Sequence, residues 1–386
     1  MKISVLCFDL SSNAFGRAWL LAKALSPGYD VEIIGTSRNG GIWSPMANSE
    51  IPVKEFIWGR YPKFSAIKKK ISDAIDGDLI LASKLMPTSF GIGLQKKYSS
   101  GKPLLLDIDD WELGFFYHSG FWGKVGRFLN FSNPNGLPYV WRMERLIGYA
   151  DGISVSNKFL QKKFQGVLLP HCRDTTVLDP MKFDSDKIKE KMGFKNKRVV
   201  MFLGTPRPHK GLDDLLSAFE KIKDLNLKLV IIGVENQQEF LNKIDQSIKE
   251  SVVVLPKTPF QKLPELLSIA DIIVIPQRRT SDSVGQIPAR LFDAMSMAKP
   301  IIATRVSDIP EVLNRCGYLV DPNKPSQLAD TIKYILNHSD EARAKGEAAR
   351  ARCRQKYDIR NLKSGLIGLI EQVANKRSIN KSISKK

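Results

Sequence analysis

The stretch VVMFLGTPRPHKGLDDLLSAF, residues 199–219, joins an apolar run to an amphipathic one through a basic loop bounded by glycines. The apolar run predicts a buried strand over Val199–Leu203, and the spacing of apolar residues predicts a helix over Leu212–Ile222. Gly204 allows a sharp turn and close approach of a ligand to the backbone. Arg207 and Lys210 add fixed positive charge, and a helix opening near Leu212 presents free amides at its positive end. These features suit a bound diphosphate. They equally suit a solvent-exposed basic loop, and the segment alone leaves both readings open.

Working outward, the same strand–helix alternation continues on both sides. Downstream, strands are expected at Leu229–Ile232, Val252–Leu255, Ile272–Ile275 and Ile301–Ala303, with helices near Leu263–Ile269, Pro288–Met297 and Leu328–Asn337. Upstream, Ile3–Phe8 reads as a strand and Ala18–Leu25 as its helix. Val31–Ile34, Leu79–Ala82, Leu104–Leu106 and Ile153–Val155 read as further strands. Alternation of this kind predicts parallel sheets covered by helices. The pattern occurs twice, so two α/β domains are expected: residues 1–175 and 195–355, followed by a C-terminal helix and basic tail over 356–386, with the helix able to cross back to the first domain. The polar stretch Asp174–Lys197 reads as the hinge, and a ligand is expected in a cleft between the halves, at the carboxyl ends of the strands.

Bulk properties narrow the class. The 386 residues are 43% hydrophobic and 26% charged, the range of a soluble globular chain. No run approaches ~18 apolar residues, so no membrane-spanning helix is expected. The start, MKISVLCFDL, reads as a first strand rather than a signal peptide. Cys7, Cys172, Cys316 and Cys353 are scattered without a CxxC pair, which fits reduced thiols and a cytoplasmic location. The formal net charge of +19 calls for an anionic partner. No nucleic-acid module appears, so nucleic acid is not the expected one.

Three further segments carry candidate chemistry. In Thr280–Thr304, Pro288 fits a helix start, and the amides of Val284, Gly285 and Gln286 could bind an anion just before it. Asp293 could accept hydrogen bonds from a ribose diol; its other reading is a surface pair with Arg290 three residues earlier. In LLLDIDDWE, Leu104–Glu112, the carboxylates of Asp107, Asp109 and Asp110 follow a buried strand. They could hold a metal, act as a base or grip sugar hydroxyls, or they could be a helix cap with exposed acids. In SSNAFGRA, Ser11–Ala18, the only glycine is Gly16, so the dinucleotide fingerprint is absent. His118, His171 and His209 lack metal-ligand spacing. The aromatic stretch Trp111–Trp141, with Lys63, Lys68, Lys69 and Lys70, suits an anionic membrane surface or a buried pocket.

Taken in order, these segments resemble one family. GYADGISVSNKFLQKKF (148–164), LLPHCRDTTVLDP (168–180), MFLGTPRPHKGLDDLLSAF (201–219), PFQKLPELLSIADIIVIPQ (259–277) and LFDAMSMAKPIIATRVSDIPEVL (291–313) are similar to motifs of the group 1, GT-B-type retaining glycosyltransferases. The resemblance covers roughly Lys2–Tyr357. It implies two Rossmann-like domains facing each other across a cleft, with a nucleoside diphosphate sugar bound mainly by the second. Lys210 then matches the diphosphate lysine, and Arg207 replaces an arginine that normally follows the glycine, where this chain has Thr205. Asp293 takes the place of the second glutamate of an E-x7-E motif. The first would fall at Gly285, so contacts to the donor sugar would be altered or moved to Ser283, Asp282 or Gln286. Gly16 matches a loop glycine near the diphosphate, and Asp109 is the acceptor-side candidate. Arg207, Lys210 and Asp109 are thus the expected catalytic groups, and Gly16, Gly204, Ser283, Val284, Gly285, Gln286 and Asp293 the expected donor contacts. The implied reaction moves a sugar to an acceptor hydroxyl, on a glycan, a lipid-linked acceptor or a small molecule, with the anomeric configuration kept. No metal or other cofactor is required, although Mg2+ is compatible with it. The competing reading is a non-catalytic sugar-nucleotide or glycan binder of the same fold.

Overall fold

In a computed structural model the chain divides into two compact units, Met1–His171 with Ile359–Lys386, and Cys172–Asp358. Residues 1–117, 121–222, 224 and 226–383 are described. His118 and the neighbouring positions 119 and 120 lie outside them.

The first unit is built on seven parallel strands: β1 Lys2–Cys7, β2 Asp30–Ser37, β3 Val53–Ile57, β4 Leu79–Ser83, β5 Leu104–Ile108, β6 Gly152–Val155 and β7 Val167–Leu168, in the order β3-β2-β1-β4-β5-β6-β7. Every residue of β4 and β5 is buried. Such strands are covered on both faces, which is why they read as apolar runs rather than alternating ones. The helix Ala14–Leu25 covers one face of β1 and β2, and the long helix Ile359–Ile383 packs beside it. The long helix buries Leu362, Leu366, Leu369, Ile370 and Val373, a stripe at helical spacing.

The second unit has six parallel strands: β8 Arg198–Leu203, β9 Leu227–Ile232, β10 Val252–Leu255, β11 Ile272–Ile275, β12 Ile301–Thr304 and β13 Tyr318–Val320, in the order β10-β9-β8-β11-β12-β13. Val199 and Met201 point into one apolar layer, Val200 and Phe202 into the other. In both units the chain order reverses beside the first strand, at β1/β4 and at β8/β11. Doubly wound sheets place ligands at such points, beyond the carboxyl ends of the strands.

Two expectations are corrected here. The stretch read as a hinge, Asp174–Lys197, is a packed part of the second unit. Leu178 and Phe194 are buried in its core, Thr175 hydrogen-bonds Asp358, and Lys189 Nζ lies 2.7 Å from Asp271. Phe183, Ile188 and Met192 pack half-buried against the same core, and with Leu178 and Phe194 they stand at uneven spacings that fit no single helical or strand period. The boundary accordingly falls at Cys172 rather than between 175 and 195; the C-terminal helix is part of the first unit, in line with the sequence reading.

Candidate functional site

At the β8/β11 reversal, two loops meet. Gly204 closes β8 with φ +115°, and Gly211 ends the loop with φ +68°. A side chain at Gly211 would collide with the carbonyl of Pro276, 1.8 Å from the β-carbon position. Arg278 N donates to the His209 carbonyl at 2.8 Å, which ties the loop after β11 to the loop after β8. A β-carbon at Gly233, after β9, would lie 2.9 Å from the Gly204 backbone, so close approach requires glycine at 233, whereas at 204 the positive φ does.

Cations converge on this corner. A β-carbon at Gly204 would lie 3.2 Å from Lys210 Nζ and 3.6 Å from Arg290 Nη1. Lys210 Nζ donates to the Thr205 carbonyl at 2.9 Å and has no acidic partner among the described residues. Burial, then the charges of Arg290, Arg207 and Lys257, push its amine down to about 7. The surrounding acids are engaged elsewhere. Asp214 holds Arg278 through two hydrogen bonds of 2.9 and 2.7 Å. Asp282 lies 3.0 Å from His209 Nδ1. Burial opposes the Asp282 charge, yet hydrogen bonds from His209 and Thr280 hold it at about 2. Arg207 stands exposed at the start of the short helical turn Pro208–Lys210.

Several sequence-predicted donor contacts are placed differently. Ser283 is fully buried; its hydroxyl donates to the Arg278 carbonyl at 2.6 Å and accepts from Thr280 N at 2.9 Å, so it holds the loop rather than facing a ligand. Val284 N and Gln286 N already donate to the carbonyls of Thr280 and Ser283, and Gly285 is buried and engaged in the same turn region. The expected row of free amides before the helix Ala289–Ser296 is therefore absent. Asp293 pairs with neither Arg290 nor open space. It is 4% exposed and grips Arg173 through both carboxylate oxygens. The residue that sequence reasoning missed is Arg290, treated there only as a surface neighbour of Asp293. Its place in the PxR that opens the helix was a weak signal, because helical periodicity does not separate a buried arginine from an exposed one.

In the first unit, the carboxylates after β5 divide between two roles. Asp107 is fully buried and accepts two hydrogen bonds of 2.8 Å from Arg17 and one of 2.7 Å from Ser154. It is a structural pair, not a sugar-gripping acid. Asp109, Asp110 and Glu112 surround Lys84, whose Nζ lies 2.7 Å from Asp109 and 3.2 Å from Glu112 and bonds Asp110. The three carboxylates lie close enough to hold a metal ion, within 4.8 Å of one another. The Lys84 ammonium stands where such a cation would. Asp109 also lies 4.0 Å from His171 Nε2. Burial raises the Glu112 carboxyl to about 7. Gly16, expected in a loop, sits in the first turn of the helix Ala14–Leu25, where a β-carbon would make ordinary contact with Trp43 at 3.6 Å. Nothing in this unit demands glycine there.

Residues 184–352 match the family profile described as Glycosyl transferases group 1. The match lies within the second unit, Cys172–Asp358, and shows what that part of the chain is similar to. The matched range contains Gly204, Lys210, Arg290 and Asp293. A glycosyltransferase of Methanocaldococcus jannaschii, itself uncharacterized, is 27% identical over 149 residues, 38% of this chain and 40% of its own length. N-acetyl-alpha-D-glucosaminyl L-malate synthase of Bacillus anthracis is 28% identical over 177 residues, 44% of each chain. The chain thus spans less than half the length of these curated relatives. Anabaena HepE, solved in complex with UDP and glucose, superposes with a TM-score of 0.75 at 16% identity, covering 96% of this chain and 99% of that one. That likeness establishes the two-domain GT-B fold.

Proposed function

We propose that this protein transfers a sugar from a nucleoside diphosphate sugar to an acceptor hydroxyl, with retention of anomeric configuration. The observation that carries this reading is the cationic corner at Gly204, where Lys210 and Arg290 converge and, among the described residues, no carboxylate pairs with them. A diphosphate would supply the missing negative charge. As the sugar leaves, that charge grows, and fixed cations in a water-poor pocket stabilise it most at the transition state. The leaving phosphate would accept the acceptor proton, so no protein nucleophile is needed. Asp109 and Glu112 would act on the acceptor side. The relatives and the structural neighbour support the donor class through what their names state they bind or make.

Turnover of a panel of UDP-, GDP- and ADP-sugars tests the proposal, with the product anomer assigned by NMR. One donor of the panel is expected to be consumed, with the anomeric configuration kept and the rate unchanged by a chelator. Binding without consumption would instead mark a non-catalytic sugar-nucleotide binder. Loss of activity with chelator would move the chemistry to a metal.

A second part of the proposal concerns location. The four cysteines are free, as in a reducing compartment. Among the described residues, no helix is long and apolar enough to cross a membrane. The aromatic stretch is divided: Trp111 and Phe116 pack beside the buried Leu113 and Val140, whereas Phe128, Leu129, Phe131 and Trp141 are exposed. Ser132, next to Phe131, contacts Arg60 at 2.9 Å, just before the lysine-bearing helix Lys63–Ala74. Exposed aromatics beside Lys63, Lys69 and Lys70 suit an anionic lipid surface. Flotation is expected with vesicles containing anionic lipid and not with neutral ones; equal behaviour with both would remove the membrane role.

A further inference from the structure

Among the described residues, Arg290 is a buried cation that no carboxylate pairs with. The residue is 7% exposed and sits in the first turn of the helix Ala289–Ser296. Its Nη1 donates to the Leu203 carbonyl at 2.7 Å, and its guanidinium lies 4.7 Å from the Phe202 ring centroid. Its Nε and Nη2 are buried and bonded to nothing among the described residues. Leaving such donors unsatisfied is costly, and native structures tolerate it chiefly where a ligand completes the set. Asp293, one turn further along the same helix, cannot serve, because Arg173 holds it.

The missing partner has a definite position. Arg290 and Lys210 come from different elements, yet both face the side of Gly204 where a side chain would otherwise stand. The group 1 resemblance expects an arginine directly after that glycine, and this chain has Thr205 there. Arg207 is exposed at the loop's outer edge.

We propose that Arg290, reaching in from the helix after β11, is the second diphosphate ligand of this chain and forms one anion site with Lys210. The proposal rests on the donor-site reading above. A planar guanidinium can offer two parallel N–H groups to one phosphate, while the lysine acts as a point charge on the same diphosphate. Binding needs only a small local rearrangement, since Lys210 Nζ must exchange the Thr205 carbonyl for a phosphate oxygen.

The test is calorimetric titration with inorganic pyrophosphate, UDP and GDP, with melting temperatures measured alongside. Arg290→Met is expected to weaken binding of the diphosphates about ten- to a hundredfold, as loss of charge-assisted hydrogen bonds implies. It should leave the ligand-free melting temperature unchanged or higher, because it removes an unpaired buried charge. A residue kept for structure alone would give the opposite pattern. Arg290→Lys retains charge without the fork and should fall between. Arg305→Met, an exposed arginine of the same unit, should bind as wild type. If Arg290→Met binds normally while Lys210→Ala does not, the Arg290 assignment is wrong and the donor site stands. If the wild-type protein binds none of the three probes, the donor-site reading fails and takes this proposal with it. Should Arg290→Met not fold, Arg290→Lys decides: weakened binding at native melting temperature supports the fork, and full affinity overturns it.

Discussion

Lys210→Ala is expected to lower kcat/KM for nucleotide-sugar turnover by about a hundredfold or more while the protein stays folded, as follows from losing one electrostatic contact to a developing charge. Among the described residues, the hydrogen-bond partner of Lys210 Nζ beside Gly204 is the Thr205 carbonyl alone, and no ion pair there uses its charge. A diphosphate gains most from it as the leaving group's charge develops, so kcat should suffer more than donor affinity. The check is steady-state kinetics on variants whose melting temperatures match wild type. Near-normal turnover in a folded Lys210→Ala protein would place the diphosphate elsewhere.

The same side chain gives the site a pH signature. In the ligand-free protein, burial first and then Arg290, Arg207 and Lys257 hold its amine at about 7, against 10.5 for an ordinary lysine. Diphosphate binds the ammonium form, so affinity should fall as pH rises above about 7. Lys210→Arg should flatten that fall, because arginine stays charged. Stability runs the other way. Between about pH 7 and 10.5 the unfolded chain binds more protons at this position than the folded one, so the ligand-free protein gains stability as pH rises through that window. In Lys210→Met this increment should disappear from the melting-temperature profile.

How far the sequence could be read depended on burial. Strands covered on both faces were legible as apolar runs, and Ile272–Ile275 coincides with the observed strand; the edge strand Val252–Leu255 was legible as well, because it is itself an unbroken apolar run. The strands that went unread, Val53–Ile57, Val167–Leu168 and Tyr318–Val320, all lie at a sheet edge, where one side lacks a neighbour and polar residues are tolerated. At the site, Gly204 and Lys210 were legible because a glycine and a lysine at a strand-to-helix turn have a backbone and charge logic of their own. Arg290, the Asp293–Arg173 pair and the internal bonds of Ser283 were not. Each depends on which distant group a side chain meets, and local spacing carries no information about that. The residues 104–112 show the same limit: three neighbouring aspartates looked equivalent, and only tertiary contacts separate Asp107 from the pair around Lys84.

That separation makes Asp107→Ala the substitution with the largest expected effect on stability. Asp107 closes the carboxyl end of β5 with no exposed surface, and Arg17 opposite it is 2% exposed. The guanidinium gives both of its forked hydrogen bonds to Asp107 and its others to the carbonyls of Leu169 and Pro170, at 2.9 and 3.2 Å. One ion pair thus fastens the helix Ala14–Leu25, β5 and the segment after β7. Removing the carboxylate strands a buried guanidinium and the Ser154 hydroxyl, at a cost of about 3–5 kcal/mol. For a unit of this size that corresponds to a fall in melting temperature of roughly 6–20 °C. The double variant Arg17→Met with Asp107→Leu should recover much of the loss, since well-packed apolar replacements of a buried pair are often neutral or stabilising. The coupling between the two positions in a double-mutant cycle reads the pair directly. If Asp107→Ala instead melts like wild type and loses turnover, the carboxylate serves the reaction rather than the fold.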